Sequence, residues 1–343
     1  MTDAPGAATN RFGAAAVVGA TAWGTTLAVL LARAGLPVTL LARSAEEAEP
    51  LATDREHRRR LPGIAFPPSL HVSGDPRTLE GADLVCFAVP AQSMRANIDA
   101  VAAHIGAAAT LLSASKGIEI ASGLRMSQLM RARLPGRPIA ALSGPNLSRE
   151  VAAGLPSTTV IASADSPLEP LRAAFHSATF RVYTTEDVVG VEFGGALKNV
   201  IAIAAGMVDA LGYGDNAKAA MMTRGLAEMT RLGVAAGADP LTFLGLAGVG
   251  DLIASCYSPL ARNRRLGELI ARGQSIEGAT AELGGVAEGA ATTPAALQLA
   301  RTLNVEMPIV EALHGILYEQ VAPRAAVTSL LQRDPKAERP LAD

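Results

Sequence analysis

Ala14-Ala15-Ala16-Val17-Val18-Gly19-Ala20-Thr21-Ala22-Trp23-Gly24-Thr25-Thr26-Leu27-Ala28 is the stretch on which the fold turns. Its first five residues are a short apolar run that stops at Gly19, and the segment from Thr25 to Ala34 continues with helical character until Gly35 interrupts it. The order is strand, turn, helix. Gly19-Ala20-Thr21-Ala22-Trp23-Gly24 therefore stands where a dinucleotide-binding fold places its phosphate turn. Gly19 suits a tight turn, Gly24 suits close packing of helix on strand, and the N–H groups at the helix start attract a pyrophosphate. Thr21 departs from this pattern, because the middle position normally lacks a side chain so that backbone can approach the phosphates. A β-branched residue there is expected to push the cofactor outward or to shift the turn. An ordinary strand-to-helix turn can carry similar glycines, so the motif takes its weight from its surroundings.

Working outward, Val38 to Leu41 is the next buried run, followed by Asp83 to Val89, Thr110 to Ser113 and Ile139 to Leu142, each ending in a Gly, Pro or polar turn. Strands that alternate with helical segments predict an α/β domain with a doubly wound, Rossmann-like parallel sheet. Thr158 to Ile161 and Phe180 to Tyr183 extend the sheet at its edge in a direction the sequence leaves open. Arg43-Ser44 lies 19 residues beyond Gly24, at the end of the second strand, where an NAD-specific site would carry Asp or Glu on the ribose 2′-OH. Arg43 can pair with a 2′-phosphate instead, which points to NADP(H) ahead of NAD(H); the alternative is a solvated Arg at a strand end.

From Val188 the segments are long, rich in Ala and Leu, and without recurring strand signals. The chain accordingly divides into a dinucleotide-binding domain, 1–187, and an all-α substrate and catalytic domain, 188–343, in keeping with a length of 343 residues. Val191 to Leu211 has the length of a membrane span, but Glu192, Lys198 and Asp209 interrupt it, so a buried soluble helix is expected. Met1 to Arg11 and Arg333 to Asp343 read as fraying tails.

Composition narrows the function classes. A formal charge of −2, with few clustered Arg, offers no basic face for nucleic acid. Hydrophobic residues make up 49% but aromatic residues only 3%, so Ala must fill many packing positions and helices must approach closely. Cys86 and Cys256 lie far apart and outside any CxxC, which suggests reduced thiols in a cytoplasmic protein. The five His show no metal-ligand spacing, and no metal is expected.

Several short motifs then occur in one order: Ser115-Lys116-Gly117 and Ser143-Gly144-Pro145-Asn146 after strands, Gly194-Gly195-Ala196-Leu197-Lys198-Asn199 at the start of the helical part, and Gly248-Val249-Gly250-Asp251 ahead of Arg262-Asn263-Arg264-Arg265. In order and spacing they resemble the bacterial NAD(P)-dependent glycerol-3-phosphate dehydrogenase family, from Val17 to about Leu331. The resemblance implies a two-domain enzyme, commonly dimeric. Its active site lies between the domains, where dihydroxyacetone phosphate is reduced to sn-glycerol 3-phosphate for phospholipid synthesis. It also implies Lys198 as the proton donor, Lys116 and Asp251 in the substrate site, Arg262 and Asn263 near the substrate phosphate, and Gly144 and Asn146 in the loop lining that site. Trp23, Arg43, Lys116, Ser148, Arg262, Val286 and Glu288 match cofactor contacts, together with the turn residues Gly19, Thr21, Ala22 and Gly24. Three positions depart from the family pattern: Thr21 and Ala22 replace Gly and Ser, and Ala261 stands where a Ser commonly precedes the Arg-Asn pair.

The chemistry fits these residue types. Hydride delivery to a ketone carbon builds negative charge on oxygen, so a protonated group must stand within hydrogen-bonding reach. Lys198 in an otherwise apolar helix answers this, with Gly194 and Gly195 one turn earlier leaving room for substrate; alternatively its stem is buried and its amine snorkels to the surface. Lys116 lies past a strand carboxyl end, the edge at which open α/β sheets bind ligands, although an exposed loop Lys reads the same. Arg262 and Asn263 offer a bidentate cation and an amide to a phosphate, whereas Arg264 and Arg265 read as a solvated helix face. Asp251 can hold an ammonium or cap a helix. Two other readings remain at this point: a dehydrogenase of the 3-hydroxyacid or 6-phosphogluconate type, and a non-catalytic NADP-binding sensor.

Overall fold

The computed structural model describes residues 12–334. Eight strands form one sheet: β1 (Ala15–Val18), β2 (Val38–Leu41), β3 (Leu70–Ser73), β4 (Leu84–Phe87), β5 (Thr110–Ser113), β6 (Ile139–Ser143), β7 (Ser157–Ala162) and β8 (Phe180–Thr185), in the spatial order β3-β2-β1-β4-β5-β6-β7-β8. The first six are parallel, as the alternation of strands and helices predicts. Strand β3 is an addition to the sequence reading, since Leu-His-Val-Ser is too polar to register as an apolar run. The direction left open for the last two strands resolves as a reversal: β7 is antiparallel to β6, and β8 is parallel to β7.

Helices cover both faces of the sheet. On one side α1 (Ala22–Arg33), α2 (Ala45–Asp54), α5 (Ser148–Ala152) and α6 (Leu168–Phe175) enclose a core built from Leu27, Leu31, Leu40, Cys86, Leu112 and Phe175. On the other, α3 (Met94–Val101) and α4 (Met126–Arg133) cover Val18, Val85, Phe87 and Leu111. Strands β1, β4 and β5 are buried along their whole length, which is why they read as continuous apolar runs and not as an alternation.

After Thr185 the described residues form no further strand. Helix α7 (Val188–Ala210) is the axis of the remainder, packed against α8 (Gly214–Ala235), α9 (Asp251–Tyr257), α10 (Arg262–Ala271) and α12 (Glu288–Thr302), with α11 (Ile276–Leu283), α13 (Pro308–Tyr318) and α14 (Pro323–Leu331) outside. Its apolar length could cross a membrane by composition, yet 83% of that stretch is buried inside the protein. The scarcity of aromatic side chains has the expected consequence where α7 meets α10. A Cβ on Gly206 would come within 1.8 Å of the Arg264 carbonyl oxygen, and one on Gly267 within 1.9 Å of that of Ile203, so the two backbones touch. Arg264 is not on a solvated face: its guanidinium is mostly enclosed and pairs with Asp209 and Glu268, at 2.8 Å each. Of the expected fraying tails, Met1 to Arg11 and the last nine residues lie outside the described residues.

Candidate active site

The strand reversal decides where α7 carries its lysine. Strands β1 to β6 end at one edge of the sheet, while β8 ends at the opposite edge, level with Ala162 of β7. Helix α7 begins there and runs back beside β6 toward the carboxyl edge. Lys198 is ten residues beyond Val188, about 15 Å along the helix at 1.5 Å per residue. On the way Gly195 passes β6 so closely that a Cβ would lie 2.4 Å from the Ser143 hydroxyl.

At that edge three charged side chains meet. Asp251, at the start of α9, is almost fully buried. Its Oδ2 is 2.6 Å from Lys116 Nζ and its Oδ1 2.9 Å from Lys198 Nζ. Lys116 also donates to the Gly144 carbonyl at 3.0 Å, and Lys198 donates to the Ser255 hydroxyl at 2.7 Å. Both alternative readings therefore fail: Lys198 is 8% exposed and does not snorkel, and Asp251 caps nothing, because the helical backbone runs through it from a π-turn over Leu246–Gly250. Burial pushes the Asp251 carboxyl up, but the charges and hydrogen bonds of Lys116 and Lys198 outweigh it and hold the group below the usual carboxylate range. Burial pushes the Lys116 ammonium down to about 8; Asp251 opposes the shift and Lys198 adds to it. An ammonium has three hydrogens, and each lysine commits two of them here, which leaves one apiece.

The phosphate turn fits a dinucleotide. Gly19 has φ +108°, and a Cβ there would lie 2.7 Å from Val89; a Cβ on Gly24 would lie 2.0 Å from the Gly19 carbonyl oxygen. Thr21, expected as an intruder, is folded back onto the protein. It is the N-cap of α1, its hydroxyl accepting from Gly24 N–H at 3.0 Å and donating to the Ala88 carbonyl at 2.8 Å. Ala22 and Trp23 open the helix, and the Trp23 indole N–H is buried without a protein partner. His57, which sequence reasoning did not single out, supports the turn from behind, with Nε2 3.1 Å from the Ala20 carbonyl oxygen.

The other expected residues are placed as follows. Arg43 lies two residues past Leu41, the last residue of β2, and is exposed. Ser148 opens α5, where its carbonyl accepts from Thr26. Glu288 opens α12; its Oε1 accepts from Ala91 N–H at 3.2 Å, its Oε2 is buried without a partner, and burial pushes its carboxyl up to about 7. Val286 is exposed just before it. Asn146 is turned toward β7, donating to the Thr158 carbonyl and accepting from Thr159. Arg262 opens α10, and the Asn263 amide is held by Asn199 at 2.8 Å and Gly289 N–H at 2.9 Å. Ser255, also missed, joins Lys198 to Asp251, accepting from the first and donating to Oδ1 of the second at 3.3 Å. Only its placement one turn beyond Asp251 could have signalled it. Among the described residues no group of three or more His, Cys, Asp or Glu could hold a metal.

Residues 14–168 match the family described as NAD-dependent glycerol-3-phosphate dehydrogenase N-terminus, and residues 187–328 match its C-terminus. The chain belongs to the NAD-dependent glycerol-3-phosphate dehydrogenase family. Curated members named glycerol-3-phosphate dehydrogenase [NAD(P)+] are similar over nearly their full length. The protein of Anaeromyxobacter sp. (strain K) is 46% identical over 94% of this chain and 99% of its own, and that of Nocardia farcinica 48% identical over 94% and 99%. A crystal structure of glycerol-3-phosphate dehydrogenase from Coxiella burnetii superposes with a TM-score of 0.90 at 36% identity, covering 94% of this chain and 99% of that one. Of the three charged residues at the sheet edge, Lys116 falls within the first matched segment, and Lys198 and Asp251 fall within the second.

Proposed function

We propose that the chain is an NAD(P)+-dependent glycerol-3-phosphate dehydrogenase, reducing dihydroxyacetone phosphate reversibly to sn-glycerol 3-phosphate. The observation that carries the reading is one buried carboxylate holding two ammonium groups at the carboxyl edge of a dinucleotide-binding sheet. When bound, the reduced nicotinamide supplies the hydride to C2 of the substrate. Gly19, Thr21, Ala22, Trp23 and Gly24 would hold its pyrophosphate end, Arg43 would meet the adenosine ribose, and Lys116, Ser148, Arg262, Val286 and Glu288 would line the rest.

Lys198 has one uncommitted N–H, which it directs to the C2 oxygen and gives up as a proton while negative charge develops there. Asp251 and Ser255 fix the amine so that this hydrogen has one direction left. Lys116 contributes a second positive charge to the same oxygen or to the neighbouring hydroxyl. Arg262 and Asn263 take the substrate phosphate, Asn263 being pre-set by Asn199 and Gly289, and Gly144 and Asn146 shape the wall opposite. In the oxidative direction the neutral amine of Lys198 receives the alcohol proton.

The same reading divides the chain into 1–187 and 188–343, prefers NADP(H) to NAD(H), and has the protein work in the cytoplasm as a homodimer supplying glycerophospholipid synthesis. Initial rates with dihydroxyacetone phosphate, set against a panel of 3-oxoacids and sugar acids, test it. Turnover of the triose phosphate is expected, and inactivity on it alone among the panel would overturn the substrate assignment.

A further inference from the structure

The sequence places no acid at the end of β2, where Arg43 follows Ala42, but the fold brings one there. Glu47, in the first turn of α2, turns its side chain back so that Oε2 accepts the Arg43 backbone N–H at 3.0 Å. Ser44, the N-cap of α2, accepts from the Glu47 N–H at 3.4 Å, which fixes the turn from the other side. Glu47 is half-buried, whereas the Arg43 guanidinium is exposed and makes no ion pair with it or with any other described residue.

In doubly wound folds the adenosine ribose lies beyond the end of this strand; a carboxylate there binds the 2′-OH of NAD(H), and a cation receives the 2′-phosphate of NADP(H). Here both charges stand at one strand end, the carboxylate pinned and the guanidinium loose. We propose that Glu47 is a coenzyme-specificity residue: it favours the ribose hydroxyls of NAD(H) and opposes the 2′-phosphate that Arg43 attracts, so that one site accepts both coenzymes. The inference rests on the reading that a dinucleotide binds at this edge. A helix-cap role for Glu47 would not need its charge, because a neutral amide oxygen also accepts the Arg43 N–H.

Glu47→Gln separates the two roles, and binding is read without turnover. Trp23 is the single tryptophan and stands in the phosphate turn, so its fluorescence follows nucleotide binding to the full chain. The chain and its variant are titrated with NADPH and NADH, and with adenosine 2′,5′-bisphosphate and AMP. In Glu47→Gln the preference for the 2′-phosphorylated member of each pair is expected to rise about tenfold as the like charge is removed. Arg43→Ala, which leaves the backbone hydrogen bond of Glu47 in place, is expected to move the same ratio the other way. Constants that shift together with the ratio unchanged in either variant would overturn the proposal. A wild-type chain that binds neither coenzyme would instead overturn the cofactor reading on which it stands, and failure to reduce dihydroxyacetone phosphate would touch only the substrate.

Discussion

Asp251 Oδ2 lies 2.6 Å from Lys116 Nζ, an ion pair between a loop of the sheet and a helix of the second half of the chain. With Lys198 on its other oxygen, the carboxylate is the one acid between two lysines, Lys198 buried and Lys116 mostly enclosed. Replacing it by Asn, which keeps the shape and removes the charge, leaves two ammonium groups facing each other. Asp251→Asn should lose about 3–5 kcal/mol of stability, read by denaturant unfolding, because removing one partner strands the others in a buried site. A loss below about 1 kcal/mol would mean that water already screens the lysines.

Lys198→Met should retain NADPH binding and lose at least about a hundredfold in kcat, the size of a missing proton donor. A kcat within a few-fold of the parent would move the proton donor elsewhere.

Lys116, pushed down to about 8, should set the alkaline limb of substrate binding. Its charge is present below that pH and is lost above it, so KM for dihydroxyacetone phosphate should climb from about pH 8 upward. Lys116→Arg, charged throughout, should remove this break even if it raises KM at every pH. Stability moves oppositely: between about 8 and 10.5 the unfolded chain binds more protons at this residue, so its contribution to stability grows with pH.

Much of this was readable in advance. Parallel strands sheathed on both faces, such as Ala15–Val18, leave uninterrupted apolar runs, and the family resemblance that the motifs carry implied one site for Lys116, Lys198 and Asp251. Contacts made through the fold left no local mark. Strand β3 is an edge strand that tolerates His71; Ser255 matters only because α9 brings it to Lys198; His57 reaches Ala20 across 37 positions of chain. Thr21 was legible as an anomaly, but its resolution depends on the Ala88 carbonyl at the end of a strand 67 residues away.

Thr21→Val therefore tests a cap as well as a cofactor turn. It should cost about 1 kcal/mol of stability, the usual worth of an N-cap hydroxyl, while Thr21→Ser should cost less. Thermal unfolding of both variants decides it, equal losses counting against the hydroxyl.

Glu228 is 2% exposed and accepts the Ile309 and Val310 N–H groups at the start of α13. Burial pushes it up to about 7; those two N–H groups and Arg231 oppose the shift, and Glu311 adds to it. A raised carboxyl pKa contributes stability that is complete below about 4.5 and is lost as pH rises through about 7. The melting temperature should fall between pH 5 and 8, and by less in Glu228→Gln. An equal fall in both proteins would assign the effect to other groups.

The reversal between β6 and β7 turns α7 into a ruler. Its zero is pinned at the far rim of the sheet, and Lys198 is a graduation read off at the near rim. Deleting one residue between Val188 and Lys198 would draw the amine back by about 1.5 Å and swing it through about 100°. Changes in chain length are therefore affordable in the loops before Asp187 and after Ala210, but not within the eleven positions that measure the distance from one rim to the other.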